Sequence, residues 1–204
     1  MAGESVGLTG VNGAGKTTLL RCFASVIRPS EGDVFWFEGA ANNRRAARGM
    51  IGMVTHDPPL YPQLTLRENL VFAARMYRVG EPAVRADQLL QRVGLAHRAD
   101  HRPTQISRGM RQRVAVARAL VHAPNILLLD EPFSGLDAEG IHWLTETLND
   151  LRSRDRTICF ASHDTARVHC LADRVFELDS GQLHRRNFDR ASEGHGHIIR
   201  ARAA

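Results

Sequence analysis

A glycine-rich segment between a candidate strand and a candidate helix constrains the fold of this 204-residue chain more than any other feature. Residues 4–9 have the character of a short strand, and apolar residues recur at helical spacing over residues 16–27. Between them, residues 10–17 fit the pattern G-x-x-x-x-G-K-[ST] in full. The complete pattern in this strand–loop–helix setting predicts an α/β fold with a phosphate-binding loop, the P-loop.

The P-loop supplies the groups that nucleotide phosphates need. Backbone N–H groups and the helix N-terminus can surround the phosphates, and the glycines let the backbone approach closely. Lys16, the only lysine in the chain, can reach the outer phosphates, and the Thr17 hydroxyl can ligate Mg²⁺. A chance glycine-rich turn is the weaker alternative. We therefore expect the nucleotide to be bound by Gly10, Val11, Asn12, Gly13, Ala14, Gly15, Lys16, Thr17 and Thr18.

Strands and helices alternate along the rest of the chain, which implies a mostly parallel sheet. Candidate strands are residues 34–37, 51–54, 125–129 and 157–161. Helices are expected from the Thr65-Leu-Arg-Glu68 capping box to about Tyr77, from Pro82 to about Gly94, after Ser107, and from Asp137 to about Leu151. Residues 65–122 therefore form an inserted helical lobe within one domain of residues 1–182.

Residues 183–204 form a polar tail rich in arginine, which we expect to be mobile. His184, His195 and His197 leave a metal site open as the alternative, and the composition favours a solvated tail.

Composition excludes several classes of protein. No stretch approaches the roughly 18 apolar residues of a membrane span, and no signal segment follows Met1, so a cytoplasmic location is expected. The net charge of +5 fits nucleic acid or an acidic membrane surface and decides neither. Cys22, Cys159 and Cys170 show no CxxC pairing, so reduced and packed thiols are expected.

Two acids follow the apolar run at residues 127–129. The carboxyl end of such a strand lies at the edge of the sheet where phosphates bind, so Asp130 is a candidate for holding Mg²⁺ through water. Glu131 is the candidate for polarising the attacking water. An acidic pair could instead merely cap the next element, but the P-loop makes the phosphate role the stronger hypothesis.

The segment Ile106-Ser-Arg-Gly-Met110, followed by Arg111-Gln-Arg113, resembles the signature of the ABC ATPases, usually written LSGGQ-x-QR. This resemblance implies a P-loop ATPase core with an inserted helical lobe and ATP as the nucleotide. It also implies that Ser107, Arg108 and Gly109 contact ATP held by a second copy of the chain, since a helix N-terminus offers free amides to an anion.

Two further segments are similar to elements of the same family. Ser134-Gly-Leu-Asp137 resembles the D-loop, which adds Asp137 to the expected ATP-binding residues, and His163 resembles the switch histidine that orients the attacking water. The resemblance implies a homodimer acting on separate integral membrane subunits at the cytoplasmic face of the membrane, with no nucleic acid partner.

The chain also departs from the family pattern. His56 stands where the family usually has glutamine, and a neutral imidazole there could approach Mg²⁺ or the attacking water. Together with Arg108 and Met110, this narrows the resemblance to a subset that includes the haem exporter ATPases of cytochrome c maturation. The usual N-terminal β segment, with an aromatic residue that stacks on adenine, is lacking: no aromatic residue precedes Phe23. We expect weaker adenine binding or a true start upstream.

The sequence is compatible with three different functions. The first is the ATPase subunit of a transporter, with haem export as the narrower hypothesis. The second is a soluble single-cassette ATPase, for example in iron-sulfur assembly. The third is a truncated nucleotide-binding module with weak turnover, against which Lys16, Asp130, Glu131 and His163 all argue.

Overall fold

The fold is built on one twisted sheet. The computed structural model describes residues 3–35, 44–187 and 202–203, and these ranges contain seven strands in the order β2-β3-β4-β1-β5-β6-β7. The strands are β1 (Ser5–Thr9), β2 (Ile51–Val54), β3 (Ile126–Asp130), β4 (Thr157–Ala161), β5 (Arg174–Asp179), β6 (Gln182–Asn187) and β7 (Arg202–Ala203). From β2 to β5 all neighbours are parallel, whereas β6 and β7 are antiparallel additions. The predicted α/β fold with a mostly parallel sheet is confirmed.

Seven α-helices lie within the described ranges: α1 (Lys16–Phe23), α2 (Arg44–Met50), α3 (Leu66–Met76), α4 (Pro82–Arg92), α5 (Arg108–Ala119), α6 (Ala138–Arg152) and α7 (Thr165–Leu171). The predicted capping box forms, since the Thr65 hydroxyl accepts from the Glu68 N–H and the Glu68 carboxylate accepts from the Thr65 N–H. Asp137 caps α6 and Pro82 opens α4, also as expected. Helices α3 to α5 occupy the stretch in which we expect the helical lobe.

Two hydrophobic clusters cover the two faces of the sheet. Strand β3 is buried along its whole length, as expected for an inner strand of a parallel sheet. Leu127 and Leu129 point into the larger cluster, which includes the helical lobe, whereas Leu128 points into the smaller cluster with Leu20 of α1. Because the side chains of β3 alternate between the two faces of the sheet, α1 packs on one face and the helical lobe on the other.

Some expected elements differ in the structure. Helix α1 ends at Phe23, short of residue 27, and Ser25 adopts a positive φ of 56° that stops it. Val34 and Phe35 are not in a strand, and residues 36 and 37 lie outside the described residues.

The expected tail does not begin at residue 183. Strand β6 pairs with β5 through residue Arg186, and His184 lies opposite Glu177. The cause is a two-residue loop, in which Ser180 and Gly181 both have positive φ, as a type I′ hairpin turn requires. Of the remaining tail histidines, His195 and His197 lie outside the described residues.

None of the described helices is both long enough and apolar enough to cross a bilayer. The longest, α6, has 15 residues.

Candidate nucleotide site

The expected site residues follow three adjacent parallel strands. The P-loop follows β1, Asp130 ends β3 with Glu131 directly after it, and His163 follows β4, which lies between the other two strands. Because the carboxyl ends of parallel strands meet at one edge of a sheet, these segments come together there.

The P-loop is wrapped tightly over the start of α1. Gly10 has φ 143°, and a Cβ on it would lie 2.4 Å from the Leu178 carbonyl oxygen, so only glycine fits. The Lys16 ammonium donates to the carbonyl oxygens of Gly10 at 2.6 Å and Val11 at 3.1 Å, and this side chain is nearly buried. The lone lysine is thus held across the loop that is expected to bind the phosphates.

The hydroxyl oxygen of Thr17 and a carboxylate oxygen of Asp130 are suitable ligands for the expected magnesium ion. The Thr17 hydroxyl donates to Oδ2 of Asp130 at 2.8 Å, and Asp130 is only 2% exposed. Mg²⁺ in nucleotide sites is usually held by one or two protein oxygens together with phosphates and water, so this hydroxyl–carboxylate pair is a suitable donor set. Within the described ranges, no three His, Cys, Asp or Glu side chains form a metal-binding group.

Glu131 is fixed by the end of the neighbouring strand. Its backbone has a positive φ of 48°, an unfavourable conformation for a non-glycine residue that often marks a functional position. Its N–H donates to the Ala161 carbonyl at 2.9 Å. Its carboxylate accepts from the Ser162 hydroxyl at 3.2 Å and from the His163 N–H at 3.0 Å, and it lies 2.9 Å from Nδ1 of His163. The structure therefore joins the two predicted catalytic residues directly.

Ser162 is a residue of the candidate site that sequence reasoning missed. It is 2% exposed, and its hydroxyl both donates to Glu131 and accepts from the Asp164 N–H at 3.2 Å. The sequence signal that could have identified Ser162 is its position between the apolar strand β4 and His163. Asp164 in turn caps α7, and the hydrogen bond from the Arg167 N–H, aided by the Arg167 side chain, lowers the Asp164 pKa.

His56 is the second residue after β2, the strand that lies beside β3 at the edge of the described sheet. It is exposed, while the neighbouring Thr55 hydroxyl donates to the Asp57 carbonyl at 2.7 Å and bends the chain. In the described part of the chain, His56 does not form a three-ligand group with the two acids of β3. Its role as a catalytic or magnesium-binding group stays a prediction.

The signature segment forms the start of α5. The Ser107 hydroxyl accepts from the Met110 N–H at 3.2 Å, so the N-cap expected from sequence is present. Arg108 and Gly109 follow in the first turn, and buried Gln112 donates to the Pro132 carbonyl at 3.2 Å. This bond ties α5 to the loop that carries Glu131 and the D-loop.

Asp137 lies at the end of the D-loop and is exposed. Its Oδ1 accepts from the Gly140 N–H at 2.8 Å, so the carboxylate serves as the N-cap of α6. Its expected contact with ATP stays a prediction, as do those of Ser107, Arg108 and Gly109.

Comparison with known proteins gives a consistent result. A family model described as ABC transporter matches residues 1–134. The chain is 38% identical over 186 residues to the ABC transporter ATP-binding protein NatA of Bacillus subtilis (strain 168), covering 89% of this chain and 75% of NatA. It is 37% identical to the Nod factor export ATP-binding protein I of Bradyrhizobium diazoefficiens, of which it spans only 60%. Neither name mentions haem, so haem export stays a prediction.

A solved structure supports the same relationship. The chain superposes with a TM-score of 0.82 and 30% identity on MJ0796, an ATP-binding cassette described as a dimer in a post-hydrolysis state bound to ADP and Pi. The match covers 91% of this chain and 86% of that chain.

Proposed function

The chain belongs to the ABC transporter family of ATP-binding ATPases, and from that premise we propose that it powers transport by closing a homodimer over two ATP molecules. The observation that carries the proposal is the single sheet edge that unites Lys16, the Thr17–Asp130 pair and the Glu131–His163 pair. These groups supply phosphate binding, metal binding and activation of water. We expect separate integral membrane subunits to hold the dimer at the cytoplasmic face of the membrane.

Hydrolysis in this proposal is a direct attack of water on the γ-phosphorus of ATP. Glu131, held by Ser162 and His163, orients the water and takes up its proton as the new oxygen–phosphorus bond forms. The bond between the γ-phosphorus and the bridging oxygen breaks, and ADP leaves with the electron pair. Lys16 holds the outer phosphates during this step. Thr17 and Asp130 would hold Mg²⁺, which would supply positive charge to neutralise the phosphate oxygens.

The dimer is proposed because the signature lies on the helical lobe, away from the P-loop in the chain's architecture. Ser107 opens α5, whereas the P-loop opens α1 on the opposite face of the sheet. The known cassette MJ0796 is dimeric. Two copies facing each other would bring each signature to the other's P-loop and complete both sites.

A groove on the surface offers a place for the membrane subunit. A cavity of about 270 Å³ lies where the ends of α3 and α5 meet β2. Its polar and bulky lining residues are Arg48, Met53, Thr55, Tyr77, Arg118 and His122. In the described part of the chain, the buried Nε of Arg118 and Nδ1 of His122 have no hydrogen-bond partner. Buried polar atoms are normally paired, so these two point to a polar occupant.

The chemistry of the groove suggests its occupant. Two arginines give it positive charge, and exposed Met76, Phe72 and Val26 lie on the elements that border it. We propose that a cytoplasmic helix of the membrane subunit docks here with apolar residues against α3 and a carboxylate against Arg118. Arg118→Gln should then reduce recovery of the chain with its membrane subunits while ATP affinity is kept. The matched control is Arg154→Gln, which removes an exposed arginine elsewhere.

The proposed function is tested by replacing Glu131 with Gln. This variant should bind ATP, lose turnover and accumulate as an ATP-dependent dimer on a sizing column, because the amide fills the same space without accepting a proton. Lys16→Ala is the matched control and should lose ATP binding altogether. If Glu131→Gln hydrolyses ATP at the parental rate, or stays monomeric at saturating ATP, the proposal is wrong.

A further inference from the structure

Four arginines lie together at the edge of the sheet opposite the nucleotide site, and we call them the arginine cluster. Arg154 and Arg156 are in the loop that ends where β4 begins. Arg85 and Arg92 are on α4. The amino ends of β3 and β4 form this edge, whereas the P-loop and the two acids lie at the carboxyl ends. The arginine cluster is therefore separate from the nucleotide site.

A single carboxylate joins two members of the cluster. Asp150, near the end of α6, pairs with Arg92 of α4, and its Oδ1 accepts from Nε of Arg154 at 3.0 Å. Two positive charges thus share one negative charge. The pairing also holds α4 beside the loop between α6 and β4.

Arg85 is bound to backbone rather than to an acid. Its Nε donates to the Val121 carbonyl at 3.0 Å, and its Nη2 donates to the Leu120 carbonyl at 2.9 Å. The last carbonyls of a helix carry partial negative charge, so these bonds explain why an arginine lies at the end of α5. They do not neutralise its full positive charge.

Arg156 has neither kind of partner. It is half-buried, and among the described residues its side chain forms no ion pair and no hydrogen bond. The N–H of the next residue, Thr157, donates to the Asn125 carbonyl at 3.0 Å, so Arg156 lies beside the loop between α5 and β3 to which Arg85 is bound. Nothing in the described fold accounts for a charge at this position.

The members of the cluster repel one another. Burial lowers the pKa of Arg156, and the charges of Arg92 and Arg154 act in the same direction. Burial also lowers the pKa of Arg85, together with the charges of Arg92 and Arg156. Like charges in a partly desolvated place oppose folding, and a bound anion would remove that cost.

We propose that the arginine cluster is a binding site for a phosphate-bearing anion, held mainly by Arg156 and Arg92 with Arg85 at one side. A guanidinium presents several N–H donors in a plane and matches phosphate oxygens in geometry and charge. A soluble phosphate compound and an anionic lipid headgroup share this chemistry. The site goes beyond the proposed function, because ATP binds at the other edge of the sheet in that proposal.

An anion in the cluster would also change the charge beside the groove that we propose for the membrane subunit. His122 lines that groove. Burial lowers the pKa of His122, and Arg156 and Arg85 add to this effect, so both arginines act on the groove through their charge. A bound phosphate would neutralise them. This consequence rests on the proposed function, whereas the binding site itself does not.

The test for a soluble ligand uses inorganic pyrophosphate and the full chain. Every protein carries Lys16→Ala, so that the P-loop does not bind the probe. Pyrophosphate should raise the melting temperature, since a ligand of the folded state stabilises it. Adding Arg156→Gln should weaken pyrophosphate binding about tenfold or more in calorimetry, because a charge-assisted contact is lost. It should also raise the melting temperature in phosphate-free buffer, where the repulsion is relieved, which a merely structural role for Arg156 would not do.

The matched control is Arg185→Gln, which removes an exposed arginine from β6 and should leave pyrophosphate binding unchanged. Sodium chloride at equal ionic strength controls for general screening of charge. If the Lys16→Ala background does not fold, the same comparison is made in the parental sequence with the nucleotide site filled by excess ADP.

The lipid source is tested by flotation with vesicles of phosphatidylglycerol and phosphatidylcholine, against vesicles of phosphatidylcholine alone. Pyrophosphate binding that depends on Arg156 assigns the site to a soluble phosphate compound. Dependence on Arg156 only with phosphatidylglycerol vesicles assigns it to a lipid headgroup. Equal behaviour of Arg156→Gln and Arg185→Gln with both probes would overturn the proposal, as would stabilisation that sodium chloride reproduces. None of these measurements involves hydrolysis, so the proposed function stands or fails separately.

Discussion

The carboxylate of Glu131 accepts a hydrogen bond from the backbone N–H of His163 at 3.0 Å and lies 2.9 Å from Nδ1 of the same residue. Glu131 directly follows β3 and His163 is the second residue after β4, and these two strands are neighbours in the sheet. Glu131 is 14% exposed and the His163 side chain 63% exposed, so the histidine faces outward while the acid stays enclosed. The pair is therefore positioned by the sheet and open to nucleotide on the histidine side.

Replacing His163 with Ala should slow turnover by about 10²-fold or more, because the imidazole that orients water and acid is lost. The backbone N–H to Glu131 remains, so ATP affinity should be kept. Single-turnover hydrolysis and calorimetry on the same sample measure the two effects. Parental turnover in this variant would exclude His163 from catalysis.

Replacing Ser162 with Ala should lower the hydrolysis rate about 5-fold. One hydrogen bond to the Glu131 carboxylate is removed, and a typical net hydrogen bond contributes about 1 kcal/mol. Ser153→Ala, which removes an exposed hydroxyl bonded to the Asp150 carbonyl, is the matched control. Equal rates in the two variants would show that Ser162 has only a structural role.

His56→Gln should keep most of the turnover, whereas His56→Ala should slow hydrolysis. A neutral imidazole can accept a hydrogen bond or approach Mg²⁺, and the glutamine side chain offers an acceptor oxygen in its place, whereas alanine offers none. Steady-state hydrolysis at saturating MgATP measures both variants beside the parent. Parental turnover in the alanine variant would make His56 a bystander.

His122 should make the protein less stable at acid pH. Its ring stacks on Tyr77 at 3.8 Å, and its Nε2 lies 3.1 Å from the Ile51 carbonyl oxygen. Burial, with nearby Arg156 and Arg85 acting in the same direction, lowers its pKa below that of a free histidine. Below pH about 6.5 the unfolded chain binds the proton first, so stability falls with pH until the folded-state pKa is reached.

His122→Gln should therefore reduce the loss of unfolding free energy between pH 8 and pH 5.5, measured by urea titration. Burial also lowers the pKa of His169, which contributes a loss of the same sign and leaves a residual slope. An unchanged slope in the variant would show that His122 does not carry this dependence.

The cysteines should differ in reactivity. Burial raises the pKa of Cys159 to about 12, whereas Cys170 is exposed. At pH 8 a thiol with such a pKa is about 0.01% thiolate, the form that reacts. Iodoacetamide should therefore modify Cys170 well before Cys159, as peptide mass spectrometry can measure. The expectation of packed thiols fits Cys159, and exposed Cys170 departs from it.

The sequence by itself determined the local features of this protein. The P-loop, the capping box at Thr65, and the cap at Asp137 each depend on residues within one turn or loop, so their patterns are complete in a short segment. The apolar runs at residues 51–54 and 157–161 predicted the bounds that β2 and β4 have in the structure, because buried strands carry a strong hydrophobic signal. Weakly patterned elements, such as the polar strand β6, were missed for the same reason.

Only the tertiary structure decided which distant side chains meet. Thr17 and Asp130 are 113 positions apart, and Ser162 and Glu131 are 31 apart, yet each pair is hydrogen-bonded. These contacts exist because β4 lies between β3 and β1 in the sheet, an order set by how helices pack on both faces rather than by any local pattern. The contact of Arg108 with Gly135 likewise depends on α5 packing beside the loop after β3, since the absence of a side chain matters only where another segment approaches.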